Sequence, residues 1–507
     1  MLLNAGACQL LDQRDNVGFS PLAYATHAKC LEAVRLLVEA DCALHVRGSF
    51  SLAGDFRVAF TSDILFEATQ RSSFEIVKYL VEALSDRRKR LATIALQHLP
   101  CKARQFLDLS GDTVLDADAL LVAELLAKHD VAVPSSLHVP DDWKTIYHLL
   151  VNFLTRIDQS ITLKGCAELF YNAGFRDVHR VDDRNKSLLM MNILTYLDTS
   201  SPKEVAQFYL WLISKGLRLD HKSLRLTELG EQVPHLPAAL HVSRALIGCI
   251  GRHQVEASDR LSETPWPERL EDEEVCILLR MLVDETVTDD CICACSLHGC
   301  SALTEILKTT GSWVHWLESH YPGVDRGAAR HILNYLIRWL DRAKTDTWEG
   351  FTTDVIRFMT FQRLLLTHTC CTWTEGYIFG DFVIFNDEDR DNIREEESED
   401  LTQLESLMEE FEEAFNELKL PLPEFLEQYW EPTMAEVMQP GEVDEDSAAK
   451  IAELGVVLQP IQTPNRGPTL PTIRRFRPRG TKDLSSSSGS VQTPTTSGHK
   501  HRRRNSC

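Results

Sequence analysis

Residues 15 to 42 place the tightest local constraint on what this 507-residue chain can fold into. Asp15 and Gly18 suit a tight turn, because an Asp side chain hydrogen-bonds nearby backbone and Gly tolerates positive φ. Ser20 stands where a hydroxyl caps a helix, and Pro21 takes the first helical position, where a missing N–H costs nothing. Leu22 and Ala25, then Val34, Leu37 and Val38, recur at helical spacing, and the small Ala25 lets two antiparallel helices pack closely. A helix pair this short cannot bury its apolar face alone. Neighbouring units are required.

The same stretch, Asp15-x-x-Gly18-x-Ser20-Pro21-Leu22-x-x-Ala25 followed by Glu32-x-Val34-x-Leu36-Leu37, resembles an ankyrin repeat, whose pattern reads D-x-x-G-x-T-P-L-H-x-A and then E-x-V-x-L-L. Leu2-Leu3-Asn4-Ala5-Gly6-Ala7 matches the end of such a unit on a shift of 35 residues. The chain thus starts inside a repeat, either as a half-repeat cap or as a shortened form of a longer product, and both readings stay open. Leu65, Ala68, Glu75, Val77 and Leu80 match the first unit on a shift of 43, so the extra residues fall in an intervening loop that is expected to protrude. A more divergent copy spans Leu169 to Leu189, with Asn185 in place of the turn Gly, and Trp211 to Asp220 resembles its closing helix and loop. Together with Asp86 to Pro100, Val131 to Pro134 and Asp141 to His148, these segments are similar to the large, irregular ankyrin proteins of filamentous fungi. The resemblance implies a protein-interaction scaffold without catalysis. Its contact surface would be the concave side of the stack, at Asn16, Phe19, Tyr24 and His27.

The fold class expected is mainly α: a short, degenerate ankyrin stack, then an irregular helical domain, then a disordered tail. The boundaries are 1–105 for the repeats, 106–162 for a helical connector, 163–222 for the ankyrin-like unit, 223–385 for a helical domain with a cysteine cluster, 386–440 for an acidic helical hairpin and 441–507 for the tail. Strict alternation is scarce, and residues 377–385 are the main candidate for a β-hairpin. Leu404, Met408, Phe411, Phe415 and Leu418 form one apolar stripe on a helix from about Leu401, with Pro421 and Pro423 ending it and a second helix folding back. Packing within its own domain outweighs an intermolecular coiled coil, because the stripe is only about two heptads long.

The net charge of −22 is unevenly spread. From Arg474 onward nine Lys or Arg face the single Asp483, which leaves −30 on the first 473 residues and no nucleic-acid surface on the body. The basic, Pro- and Ser-rich tail reads as disordered, and its clusters at Arg474 to Arg479 and Lys500 to Arg504 have the form of a nuclear address. No run approaches the ~18 apolar residues that cross a membrane, and a secretory signal is lacking, so an intracellular, cytoplasmic protein is expected.

The 14 cysteines are then thiols or metal ligands. Cys291-x-Cys293-x-Cys295-x-x-His298-x-Cys300 is a compact set of soft donors, with Cys370 and Cys371 completing it if the two windows meet. Cys291, Cys293, Cys295 and Cys300 are the candidate ligands for a structural zinc. The alternative function is accordingly a metal-dependent regulatory or catalytic protein centred there. Phosphate loops, dinucleotide fingerprints, nucleophile elbows and H-E-x-x-H are all missing, so no enzyme is expected.

Overall fold

The structure is a computed structural model that describes residues 10–15, 19–44, 48–51, 57–60, 68, 73–105, 107, 109, 114–141, 143–148, 150, 162–181, 185–190, 201–226, 232–258, 272–289, 291–320, 326–343, 350–369 and 387–439. All of these belong to the unit Met1–Pro471, which is mainly helical. Asn16, Cys370, Cys371, the expected hairpin at 377–385 and the tail from 441 lie outside the described residues.

Ser20 caps α1 (Pro21–His27), its Oγ accepting from the Ala23 N–H at 3.2 Å with Pro21 in the first turn. The Lys29 turn, φ 55°, leads into α2 (Leu31–Glu39). Leu22, Ala25 and Val34 are buried between them, as the helical spacing requires. The first of the short antiparallel ladders, β1 (Gly48–Ser51) with β2 (Arg57–Phe60), occupies the insertion that separates this pair from α3 (Phe74–His98).

α4 (Ala119–Lys128), α5 (Leu163–Asn172) and α6 (Pro202–Ser214) follow, with α2 on α3, α3 on α4 and α5, and α5 on α6. A capping box, Ser201 with Glu204, starts α6.

Five of these helices, α1 among them through Lys29 (φ 55°) and the Cys30 N–H to the Ala25 carbonyl, stop in the same way. After α2, α4, α5 and α6 the residues Asp41, Asp130, Gly174 and Gly216 take left-handed φ of 68°, 55°, 103° and 92°. The next N–H, from Cys42, Val131, Phe175 and Leu217, bonds back to the carbonyls of Leu37, Leu126, Phe170 and Leu212. That is the Schellman closure, which satisfies the last carbonyls and brings an apolar residue back onto the final turn. The last three stops are 44 and 42 residues apart, and Asp41 precedes Asp130 by twice that spacing. The missing stop falls near Ser85, where α3 runs on without interruption through Asp86 and the arginines.

The continuation of α3 is held by a buried charge cluster. Arg88 is 1% exposed; its Nε lies 3.6 Å from Asp116 Oδ1 and its guanidinium carbon 4.8 Å from the centre of the Trp143 ring. Asp116 also accepts the Trp143 Nε1–H at 2.9 Å and the Ile146 N–H at 2.7 Å. Burial, and then the charge of Asp177, raise the Asp116 carboxyl above its ordinary value, while Arg88 and the two N–H groups pull it back.

In the second half, β3 (Lys222–Leu226) pairs antiparallel with β4 (Gln232–Pro237) and leads directly into α7 (Ala238–Ser258). Asn185 takes φ 54°, the positive value expected of a residue replacing the turn Gly, and its Nδ2 donates to the Lys222 carbonyl at 2.8 Å. α7 packs on α6, α8 (Glu273–Asp284) and α9 (Ala302–His320); α10 (Arg326–Ala343) and α11 (Phe351–Arg363) pack on α9.

α12 (Asp387–Glu396) and α13 (Ser398–Leu418) carry the acidic run. α13 packs on α11, and Leu404, Met408 and Phe411 of its stripe are buried within the chain. Its stripe ends at Leu418, which is exposed, and Lys419 at φ 51° breaks the helix two residues before Pro421. The chain then folds back as a hairpin through α14 (Leu422–Phe425), a π-turn at Leu426–Trp430 and α15 (Glu431–Val437), with Phe425 edge-on to Phe415 at 5.1 Å.

Candidate functional site

The loop between α8 and α9 brings Cys291, Cys293, Cys295 and Cys300 together, all buried. Asp289 organises it: its Oδ1 accepts the backbone N–H groups of Cys291 (3.1 Å) and Cys300 (2.7 Å), and its own N–H donates to the Cys300 carbonyl. The return is tight enough to need Gly299, at φ 94°, where a Cβ would stand 2.2 Å from the Asp289 carbonyl oxygen. Burial first, and the neighbouring Cys291 second, push the Asp289 carboxyl up to about 7.

Surrounding helices fix this loop from outside. From α11, Arg357 donates Nε to the Ala294 carbonyl at 2.9 Å and forks onto both oxygens of Glu405 in α13. From α12, Arg394 donates to the Ile292 carbonyl at 2.8 Å. From α9, Lys308 points its ammonium at Cys300 Sγ, 3.8 Å away. Lys308 is itself buried and paired with Glu305 at 3.0 Å, and Arg244 of α7 reaches the same carboxylate at 2.8 Å. Burial alone would raise Glu305, but Arg244 and Lys308 together bring it down to about 2. Cys291, Ile292, Cys293, Arg357, Arg394 and Glu405 are among the residues lining a cavity of about 670 Å³ beside the loop.

Cys370 and Cys371 lie outside the described residues, but His368 and Thr369, which precede them, do reach the loop. The segment after α11 passes the loop so that Cys291 Sγ reaches the Thr369 carbonyl at 3.8 Å and Cys293 Sγ lies 3.9 Å from His368 Nδ1. His368, 3% exposed, is seated against Phe361 and Phe358, and its Nε2 meets the Gln362 carboxamide. Two sets of donor atoms therefore stand within 4.8 Å of one another, Cys293 with Cys295 and His368, and Asp289 with Cys291 and Cys300. Cys295 and Cys300 link the sets, their sulfurs 3.7 Å apart.

Sequence spacing found the four cysteines but missed Asp289 and His368 as members. His298, which stands inside the motif, is exposed and outside both donor sets. His368 carries no local signal, since it is 68 residues beyond Cys300 and arrives only because α11 packs there.

The other candidate face is at α1. Tyr24 is 53% exposed and His27 is exposed, whereas Phe19 is half-buried and packs on the Tyr24 ring at 5.5 Å. Asp15 ties the three turns of chain together: its Oδ1 accepts the Phe19 N–H at 2.9 Å and its Oδ2 accepts the Tyr24 hydroxyl. That hydrogen bond, ahead of any other cause, raises the Tyr24 phenol above its ordinary value. The fourth predicted residue, Asn16, is the one outside the described residues.

Among the described residues no helix is long and apolar enough to cross a membrane. The chain matches no protein-family model, and no curated protein is significantly similar to it.

Proposed function

We propose that this chain is a non-catalytic protein-interaction scaffold, and that it recognises a protein partner through the α1 face. The observation that carries this reading is the split character of the first helix. Leu22, Ala23, Ala25 and Thr26 are buried, while Tyr24 and His27 of the same helix stand out with Phe19 and Asp15 bracing the tyrosine. An exposed aromatic held in one orientation by a hydrogen bond loses little freedom on binding, which is the property of an interface anchor. The shared closure that ends α1, α2, α4, α5 and α6 supports a stack of related helices behind that face, as a degenerate ankyrin array would have.

An intracellular protein fits the ten described cysteines, none of which forms a disulfide with another described residue. The test is proximity labelling in cells with the wild-type chain against Tyr24→Ala/His27→Ala. Both side chains are exposed, so the fold should survive the change. Specific partners should be lost from the double variant. Retention of every partner would remove the α1 face from consideration.

A further inference from the structure

We infer that the loop between α8 and α9 binds a structural zinc ion, with Cys293, Cys295, Cys300 and His368 Nδ1 as its four ligands. This goes beyond the scaffold reading and does not depend on it, because no residue of α1 takes part.

The first ground is distance. Tetrahedral zinc with Zn–S near 2.3 Å and Zn–N near 2.0 Å sets its ligands about 3.8 Å apart for two sulfurs and about 3.5 Å apart for sulfur and nitrogen. Cys295 and Cys300 Sγ are 3.7 Å apart, and Cys293 Sγ and His368 Nδ1 are 3.9 Å apart, so two opposite edges of that tetrahedron are already within a few tenths of an ångström. At 3.7 Å the Cys295 and Cys300 sulfurs are far beyond the ~2.05 Å of a disulfide.

Burial is the second ground. The four ligands are 2%, 1%, 0% and 3% exposed, and a closed site of this kind has no open coordination position for substrate. Thiols serving only as small apolar filler need no imidazole among them. Cys42 and Cys166 are buried thiols outside both donor sets, and burial pushes them up to about 11 and about 12.

Charge supplies the third ground. Three thiolates on Zn²⁺ leave one negative charge in a buried place. Arg244, Glu305 and Lys308 carry one net positive charge there, and the Lys308 ammonium is aimed at Cys300 Sγ. Metal-bound thiolates are commonly met by such donors, and a ligating His passes its other ring N–H to a fixed acceptor. The structure sets the Gln362 Nε2 against His368 Nε2; with Nδ1 on the metal, Nε2 would carry the proton, and a carboxamide turned end for end would accept it through its oxygen. Asp289 completes this outer layer through its two backbone contacts.

The site would tie three places together: the loop after α8, the start of α9 and the segment after α11. Thiolates must be deprotonated to bind, and folding and metal binding are then one event.

The experiment uses the full chain, purified without a histidine tag under reducing, chelator-free conditions, reloaded with Zn²⁺ and desalted before elemental analysis. About one zinc per chain should remain. C293S, C295S, C300S and H368A should each fall below a tenth of that, whereas C291S, C370S/C371S and the remote C166S should keep it. Because a ligand variant can fail to fold, Co²⁺ is also loaded into the wild-type chain, where sulfur-to-cobalt charge-transfer bands and the strong visible bands of a tetrahedral ion should appear. Substoichiometric zinc in the wild-type chain, zinc retained in C293S or H368A, or cobalt bands of an octahedral oxygen site would each overturn the inference. Loss in C291S with retention in C300S would overturn the fourth ligand.

Discussion

Replacing Arg88 by Met keeps the length of the side chain and removes its charge from a place with almost no solvent. Asp116, 2% exposed, would keep its Trp143 and Ile146 hydrogen bonds but lose the cation that faces it 3.6 Å away. Breaking a buried pair from one side costs about 3–5 kcal/mol. The cost depends on pH, because burial already raises the Asp116 carboxyl. A carboxyl raised in the folded state holds more protons there than in the unfolded chain, so stability falls as pH rises between the two values. Without Arg88 the carboxyl rises further and that window extends upward. Each pH unit inside it is worth about 1.4 kcal/mol, and the wild type already carries that loss up to about pH 7, so Arg88→Met should lose up to about 1.4 kcal/mol more, relative to wild type, at pH 8 than at pH 6. Arg88→Met/Asp116→Asn removes the Asp116 carboxyl and should lose less than the single variant at pH 8. A chain of this size need not unfold in one step, so the assay is native-state hydrogen exchange on peptides covering 83–95 and 114–147. A loss under 1 kcal/mol at pH 8, or a double variant as unstable as the single one, would refute the reasoning.

Glu305 gives the opposite sign: its folded value is lowered to about 2, so its contribution is complete above about pH 4.5 and lost as pH falls toward 2. A carboxyl held that far below its ordinary value contributes about 3 kcal/mol, and Glu305→Gln should flatten that part of the urea midpoint profile between pH 5 and pH 3. Gly299→Ala must place a Cβ 2.2 Å from a backbone oxygen at left-handed φ, and should cost about 3 kcal/mol or more in thermal unfolding. Gly311→Ala, inside α9 with nothing within 4 Å of its Cβ, should instead gain about 0.5–1 kcal/mol. Tyr147→Phe removes the hydroxyl that donates to the buried Phe175 carbonyl at 2.8 Å, and should lose about 1–2 kcal/mol by exchange at Phe175 and its neighbours.

What was legible in the sequence was local. The Ser20 cap, Pro21 in the first turn, the positive φ of Asn185 and the Leu404-Met408-Phe411 stripe each depend on a few adjacent residues. Helix stops were harder, since Asp41 and Asp130 take the left-handed conformation with a side chain in place of the usual Gly, and only the repeated backbone closure shows them to be equivalent. The ladder at 222–237 escaped because its strands are five and six residues long and Pro234 interrupts the alternation. Arg87 and Arg88 belong to a charged run that reads as a solvated face, yet both are buried: Asp116 and Trp143 meet Arg88 from a distant segment, and the Ser136 carbonyl meets Arg87. The cysteines announced themselves by spacing; His368 and Asp289 joined them only through the packing of α11 and the return at Gly299.

Where the other five of the first six helices stop in a left-handed closure, α3 runs on for 25 residues, about 37 Å of unbroken rod. Arrays of similar units ordinarily grow and shrink by copying or losing one unit at a clean joint. Here the joint near Ser85 is welded, and its hydroxyl is spent on the carbonyl of Ala173 at the end of α5. Excising one unit at that point would cut a helix in half and strand the arginines that anchor its far end.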